Sequence, residues 1–206
     1  TALFLLLISL AGVSYSQVPQ IEREALVALY NSAGGANWTN NTGWLGAAGT
    51  ECDWYGITCS SGNVLRISFY DNALNGTIPK ELGNLSQLTT LTLERNSLAG
   101  SIPGELGNLT NLTRLNLYNN SSLTGAIPAE LGNLSNLTAL FLGYNDLNGT
   151  IPSELGNLTK LRTLWLQNNS LSGSIPPELG NLTNLQGTLY LSYNSLSGSI
   201  PSELGN

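Results

Sequence analysis

The 206-residue chain has no histidine and no methionine, only two cysteines, and little charge, since charged residues make up 10% of it. Without histidine, no Ser-His-Asp or Cys-His nucleophile and no imidazole-based zinc site can be assembled, which removes most hydrolase chemistry. Seven basic residues against 13 acidic ones give a net charge of −6. No basic surface is therefore available to neutralise a phosphate backbone, and nucleic acid is excluded as a partner. A GxxxxGK[ST] phosphate loop is also missing. Metal and cofactor sites are accordingly expected to be none.

Hydrophobic runs are short. Ala2 to Val13 is too brief to span a bilayer and is followed by the small-residue pattern Ser14-Tyr15-Ser16. Residues 1–16 are expected to be a partial secretory signal cut near Ser16. The product would be secreted or face the outside of the plasma membrane, with no membrane contact by the remaining segment. In such an oxidising location Cys52 and Cys59 are expected to form a disulfide, because no third cysteine, histidine or basic neighbour suits them to metal or redox work.

What the sequence does have is a period. Ile-Pro recurs at Ile78, Ile102, Ile127, Ile151, Ile175 and Ile200, with spacings of 24, 25, 24, 24 and 25 residues. Self-similarity at this period marks a solenoid. Ile78, Leu82, Leu85, Leu88, Leu91, Leu93 and Leu98 recur at matched positions in later complete units. Leu88-Thr-Thr-Leu-Thr-Leu93 alternates at its end and reads as a short strand. Ile78-Pro-Lys-Glu-Leu82 reads as a short helical or 3₁₀ turn, with Pro79 expected at its first position and Glu81 beside the unpaired amides of its start. One such unit buries too little to offset its backbone entropy, so the units must stack.

Asn72, Asn96, Asn120, Asn145, Asn169 and Asn194 form a column expected to bond backbone groups of the adjacent coil. Two units carry one extra residue. The first falls after the strand, in Asn120-Ser-Ser-Leu123; the second at a strand entry, in Leu185-Gln-Gly-Thr-Leu189, where a bulge is expected. Ile21 to Tyr30 has helical spacing and ends before Gly34-Gly35, and this helix with Trp38, Trp44 and Trp54 would cover the first coil as a cap. The domain boundaries expected are a cap over 17–63 and repeats over 64–206. Because the chain stops inside a repeat at Asn206, the repeats are expected to be truncated without a C-terminal cap, and a further membrane span or kinase domain is an open possibility.

The unit Leu137-Thr-Ala-Leu-Phe-Leu-Gly-Tyr-Asn-Asp-Leu-Asn-Gly-Thr-Ile-Pro-Ser-Glu-Leu-Gly-Asn-Leu158 resembles the plant-specific class of leucine-rich repeats, and Cys52-Asp-Trp-Tyr-Gly-Ile-Thr-Cys59 is similar to the N-terminal cap of the same proteins. The resemblance implies an α/β solenoid: a right-handed superhelix with a parallel concave β-sheet, short helical or 3₁₀ turns on the convex side, and an N-terminal helical cap. It also implies the functions found in that family, among them ectodomains of receptor-like kinases and receptor-like proteins, inhibitors of secreted polygalacturonases, and ice-binding proteins.

Within such a fold the residues between strand leucines point out of the concave sheet. Three columns vary from unit to unit: Ser68, Thr92, Asn116, Phe141, Trp165, Tyr190; then Tyr70, Glu94, Tyr118, Gly143, Gln167, Ser192; then Asp71, Arg95, Asn119, Tyr144, Asn168, Tyr193. Phe141, Trp165 and Tyr190 are expected to form an exposed aromatic strip. Arg66, Arg95, Arg114 and Arg162 are expected beside it, able to grip carboxylates.

A recognition module binding a protein or peptide is the leading expectation, with a secreted glycosidase or a co-receptor among the partners and no catalysis by this segment. Inhibition of a secreted polysaccharide-degrading enzyme is the alternative. Ice binding through Thr89, Thr113 and Thr138 ranks below it, since Arg162 interrupts that column. The ladder Glu81, Glu105, Glu130, Glu154, Glu178 and Glu203 occurs once per unit and is read as structural, and several of the dense Asn-x-Ser/Thr sequons arise merely from the repeated Gly-Asn-Leu-Thr/Ser.

Overall fold

The computed structural model describes residues 17–186 and 189–205; the expected signal segment and the expected bulge at Gly187-Thr188 lie outside the described residues. A helix over Gln20–Ser32 opens the chain, and Gly34 leaves it in the left-handed conformation. The strands Ile57–Ser60 and Asn63–Ser68 pair antiparallel. Five further strands then add in parallel, each one coil on: Thr90–Thr92, Arg114–Asn116, Ala139–Phe141, Thr163–Trp165 and Leu189–Tyr190. Strands are shorter than the alternation suggested, because only the residues pairing across coils extend.

Each coil also contributes to a second parallel ladder that the sequence did not disclose. Asn75–Thr77, Ser97–Gly100, Ser122–Ala126 and Asp146–Asn148 form one sheet, and Ser172–Gly173 pairs with Ser195–Leu196. The extra residue after Asn120 is absorbed before this ladder, where the Leu123 N–H donates to the Asn120 carbonyl at 2.8 Å.

The turn after each Ile-Pro is a 3₁₀ helix, as at Lys80–Asn84. Pro79 does not occupy its first position. It is the extended residue before the turn, with φ −78° and ψ 141°, and its carbonyl accepts the first 3₁₀ bond from the Leu82 N–H at 3.2 Å. Proline suits that place because its fixed φ serves extended backbone and the position needs no N–H donor. Pro177 is the one that stands at the start of its turn.

Successive turns touch through glycine. A Cβ on Gly107 would lie 2.3 Å from the Glu130 carbonyl oxygen, and one on Gly132 would lie 2.4 Å from that of Glu154. The glycine of each Leu-Gly-Asn is thus the space into which the next coil's backbone fits.

The leucines line one continuous core along the stack. Leu82, Leu106, Leu131 and Leu155 are fully buried, as are Leu91, Leu115, Leu140 and Leu164. Between them runs the asparagine column. The Asn120 amide donates to the carbonyls of Leu93 (3.1 Å) in the preceding coil and Leu117 (3.0 Å) in its own, while its carbonyl accepts from the Leu98 N–H at 3.1 Å. Asn96, Asn145, Asn169 and Asn194 repeat the donation one coil back, to Phe69, Leu117, Leu142 and Leu166. Asn72 differs, exchanging two hydrogen bonds with the backbone of Asn40 and so tying the first coil to the cap.

The cap closes the core with unique contacts. Trp38, Trp44 and Trp54 are buried together, with ring centres 4.9 Å and 4.8 Å apart along the series. Each indole N–H is satisfied, by Ala33, Tyr55 and Thr50. Cys52 and Cys59 are bonded, with Cα atoms 5.5 Å apart. The Arg23 guanidinium pairs with buried Glu51 and lies 5.2 Å over Trp54. Glu22, also buried, accepts the Val64 N–H at 2.7 Å. Its carboxyl is pushed above the ordinary glutamate range by burial, partly offset by that hydrogen bond.

Candidate functional site

Parallel stacking puts equivalent outward residues of neighbouring coils side by side, about 5 Å apart by strand spacing. On the seven-stranded sheet this creates a pocket of about 440 Å³ drawing on five coils. Tyr70 comes from the first, Glu94 and Arg95 from the second, and Arg114, Asn116 and Tyr118 from the third; Phe141 comes from the fourth, and Thr163 with Trp165 from the fifth.

The floor is aromatic. Phe141 and Trp165 meet edge to face at 4.8 Å, and Tyr190 stacks on Trp165 at 5.4 Å with planes 23° apart. Tyr118 approaches Trp165 at 6.0 Å and Tyr144 at 5.0 Å. The Arg114 guanidinium lies 4.5 Å over the Phe141 ring, and that of Arg95 lies 5.5 Å over Tyr70. Asn116, fully buried, donates its amide to Glu94 and accepts the Tyr118 N–H at 3.1 Å, so it fixes the carboxylate within the pocket wall. Burial, then Tyr144, raises the Tyr118 phenol above its ordinary range.

Two polar atoms in the neighbourhood have no partner among the described residues: the Trp165 indole N–H and the Gln167 side-chain carbonyl. Gln167 packs across Gly143, where a Cβ would come within 2.9 Å of it. Unpaired buried donors and acceptors cost about 1–3 kcal/mol each, a cost that a ligand able to pair them would relieve.

The expected exposed aromatic strip needs correction. Phe141 is 8% exposed, Trp165 is partly covered, and only Tyr190 is open, at 44%. Arg114 and Trp165 lie against Phe141, so the three rings do not form a uniformly exposed strip. Thr92, Asn116 and Gln167 are likewise buried. Arg162, expected beside the strip, is not part of the pocket. It shares the strand-entry column of Thr89, Thr113 and Thr138, with its N–H on the Thr138 carbonyl at 2.8 Å.

Arg66, Ser68, Tyr144, Tyr190 and Tyr193 also lie outside the lining, though Tyr144 and Tyr190 flank it through Tyr118 and Trp165. Thr163 belongs to the pocket and was missed. Its column, Arg66, Thr90, Arg114, Ala139 and Thr163, is one residue later than Arg162 and two before Trp165.

Arg95, Asn119, Tyr144, Asn168 and Tyr193 all have φ between 55° and 59°. Positive φ in a non-glycine residue often signals strain at a site. Here it recurs in every coil, so it is the geometry of the strand exit, and it aims Arg95 back over Tyr70. On the strand-entry edge, the hydroxyls of Thr89, Thr113 and Thr138 each donate to the preceding coil, at 3.0, 2.9 and 2.9 Å.

A repeating coil with a parallel sheet, a 3₁₀ turn and an internal asparagine column defines a solenoid of plant-type leucine-rich repeats. The family model for a leucine-rich repeat region matches residues 64–203, and the chain belongs to the leucine-rich repeat family. Among curated relatives, a probable inactive receptor kinase of Arabidopsis thaliana is 41% identical over 92 residues, which is 44% of this chain and 13% of that protein. The chain thus spans only a small part of that relative.

Among solved structures, a plant ice-binding protein superposes with a TM-score of 0.79 at 31% identity, covering 91% of this chain and 60% of that one. The leucine-rich-repeat ectodomain of the Arabidopsis receptor kinase HAESA, solved with an extended IDA peptide hormone ligand, superposes with a TM-score of 0.74 at 37% identity over 90% of this chain and 30% of its own.

Proposed function

We propose that the protein is an extracellular recognition module that binds a peptide, or an extended segment of a protein, in the pocket on its seven-stranded sheet, and that this segment performs no catalysis. The observation that carries the reading is the pocket itself: an aromatic floor, oriented charged walls and the unpaired Trp165 N–H brought together from five coils. Rings held by their neighbours bury large area on binding at little further entropic cost. Similarity to a peptide-bound receptor ectodomain supports the same choice of ligand. A secreted polysaccharide-degrading enzyme could present such a segment too, and inhibition would then be a consequence of binding.

Ice adsorption, suggested by the likeness to a plant ice-binding protein, is less well supported. The threonine column has its hydroxyl protons committed to backbone carbonyls and is interrupted at Arg162.

The test is selection of binders from a random dodecapeptide library on the full chain, followed by titration of a selected peptide against Trp165→Ala. Loss of a central aromatic anchor should weaken binding by about 2 kcal/mol or more, roughly thirtyfold, with the melting transition retained. Unchanged affinity in a folded Trp165→Ala protein would remove the pocket from the account.

A further inference from the structure

Charge is segregated around the solenoid. Six of the 13 acidic residues sit one per coil in the 3₁₀ turns, from Glu81 to Glu203. The pocket on the sheet holds Arg95 and Arg114 against the single carboxylate of Glu94, a local charge of +1 in a chain of net charge −6.

Neither arginine is spent on an ion pair. Among the described residues the one salt bridge is Arg23 with Glu51, in the cap. Both pocket guanidiniums rest on aromatic faces, which fixes their planes while leaving the N–H edges unbonded. Glu94 offsets one of the two charges but pairs with neither guanidinium, its carboxylate being held by the Asn116 amide. Oriented guanidinium edges beside aromatic rings are built to receive a planar anion carried on an apolar stem.

Resting on the peptide-recognition reading above, we infer that the ligand is acidic: an aspartate or glutamate side chain, flanked by an aromatic or aliphatic residue, places its carboxylate between Arg95 and Arg114 while its neighbour packs on Tyr118 and Trp165. The glutamate ladder on the turns repels the same ligand from the opposite face and steers it to the sheet. A peptide accounts for the site better than an acidic polysaccharide because the aromatic floor receives an apolar neighbour beside the anion as well as the anion itself. A uronate chain would call for a basic track along the whole sheet, whereas in the column of Arg66 and Arg114 the uncharged Thr90 stands between the two arginines and Ala139 and Thr163 follow them.

The same dodecapeptide selection decides it, with three proteins: wild type, the double variant Arg95→Gln/Arg114→Gln, and Trp165→Ala. Both arginines are exposed, so the double variant is expected to melt like wild type. Selected peptides should be enriched in Asp or Glu beside an aromatic or aliphatic residue. The double variant, or the peptide's own Asp→Asn or Glu→Gln counterpart, should bind about tenfold or more weakly, and wild-type affinity should fall with added salt.

Peptides that need Trp165 but show no acidic preference and bind the double variant equally well would overturn the acidic ligand while leaving peptide recognition standing. No peptide dependent on Trp165 would overturn both. Arginine-dependent binding of an oligogalacturonide, with no peptide selected, would assign the anion to a polysaccharide and contradict the proposal.

Discussion

The turn face and the sheet face of this solenoid are built from the same period and obey opposite rules. On the turns, Glu-Leu-Gly-Asn is repeated almost unchanged from coil to coil, and each residue type has a structural reason. Leucine fills the core, and glycine admits the carbonyl of the next coil. On the sheet, the inward leucines are equally constant, but the outward column reads Ser68, Thr92, Asn116, Phe141, Trp165, Tyr190. Stacking constrains one set and leaves the other open. The site is therefore found where the repeat stops repeating, at the coils whose outward residues gather rings and guanidiniums.

The contrast predicts where substitutions act. Asn120→Leu attacks the invariant side and should have the largest effect on folding. It leaves the buried Leu98 N–H without its partner and removes one of the two amide donors on each of the Leu93 and Leu117 carbonyls, which keep Asn96 and Asn145, so the loss is about 1–3 kcal/mol. Denaturant unfolding measures it, and a change below about 1 kcal/mol would show that the column is not what joins the coils.

Glu22→Gln probes the cap and should have a smaller, pH-dependent effect. The folded-state pKa of Glu22 is raised, so the native protein binds a proton more tightly than the unfolded chain. Stability tied to this group is present below the ordinary glutamate pKa and is lost as pH rises through the raised value. Melting curves of wild type should therefore gain less from the rise toward neutral pH than those of the glutamine variant, which keeps an acceptor for the Val64 N–H. Parallel pH profiles would contradict this assignment.

Much of the architecture was legible because a period states the same fact repeatedly. The leucine set, the asparagine column, the cap helix and the cysteine pair could all be read from spacing and residue type. The errors fall where the outcome depends on what a neighbouring coil does. Phe141 looks exposed by strand parity, but Arg114 and Trp165 lie against it. Arg162 was expected beside the aromatic strip although its spacing already puts it in the column of Thr89, Thr113 and Thr138, and alternation on a strand means that one position separates that entry edge from the pocket column.

The glycine of Leu-Gly-Asn is legible only as a recurrence until the Glu130 carbonyl is seen 2.3 Å from the Cβ that Gly107 lacks. The second ladder was hidden for a similar reason. Its strands, such as Asn75–Thr77 and Asp146–Asn148, are too short and too rich in glycine and asparagine neighbours to announce themselves by alternation.

The most direct test of the division between the two faces is amide hydrogen exchange of the full chain with and without a peptide selected from the random library. Binding in the pocket should slow exchange at the strands Arg114–Asn116 and Thr163–Trp165 and leave the turns Gly104–Asn108 and Ala129–Asn133 unchanged. Protection confined to those turns, with the strands unaffected, would contradict the account.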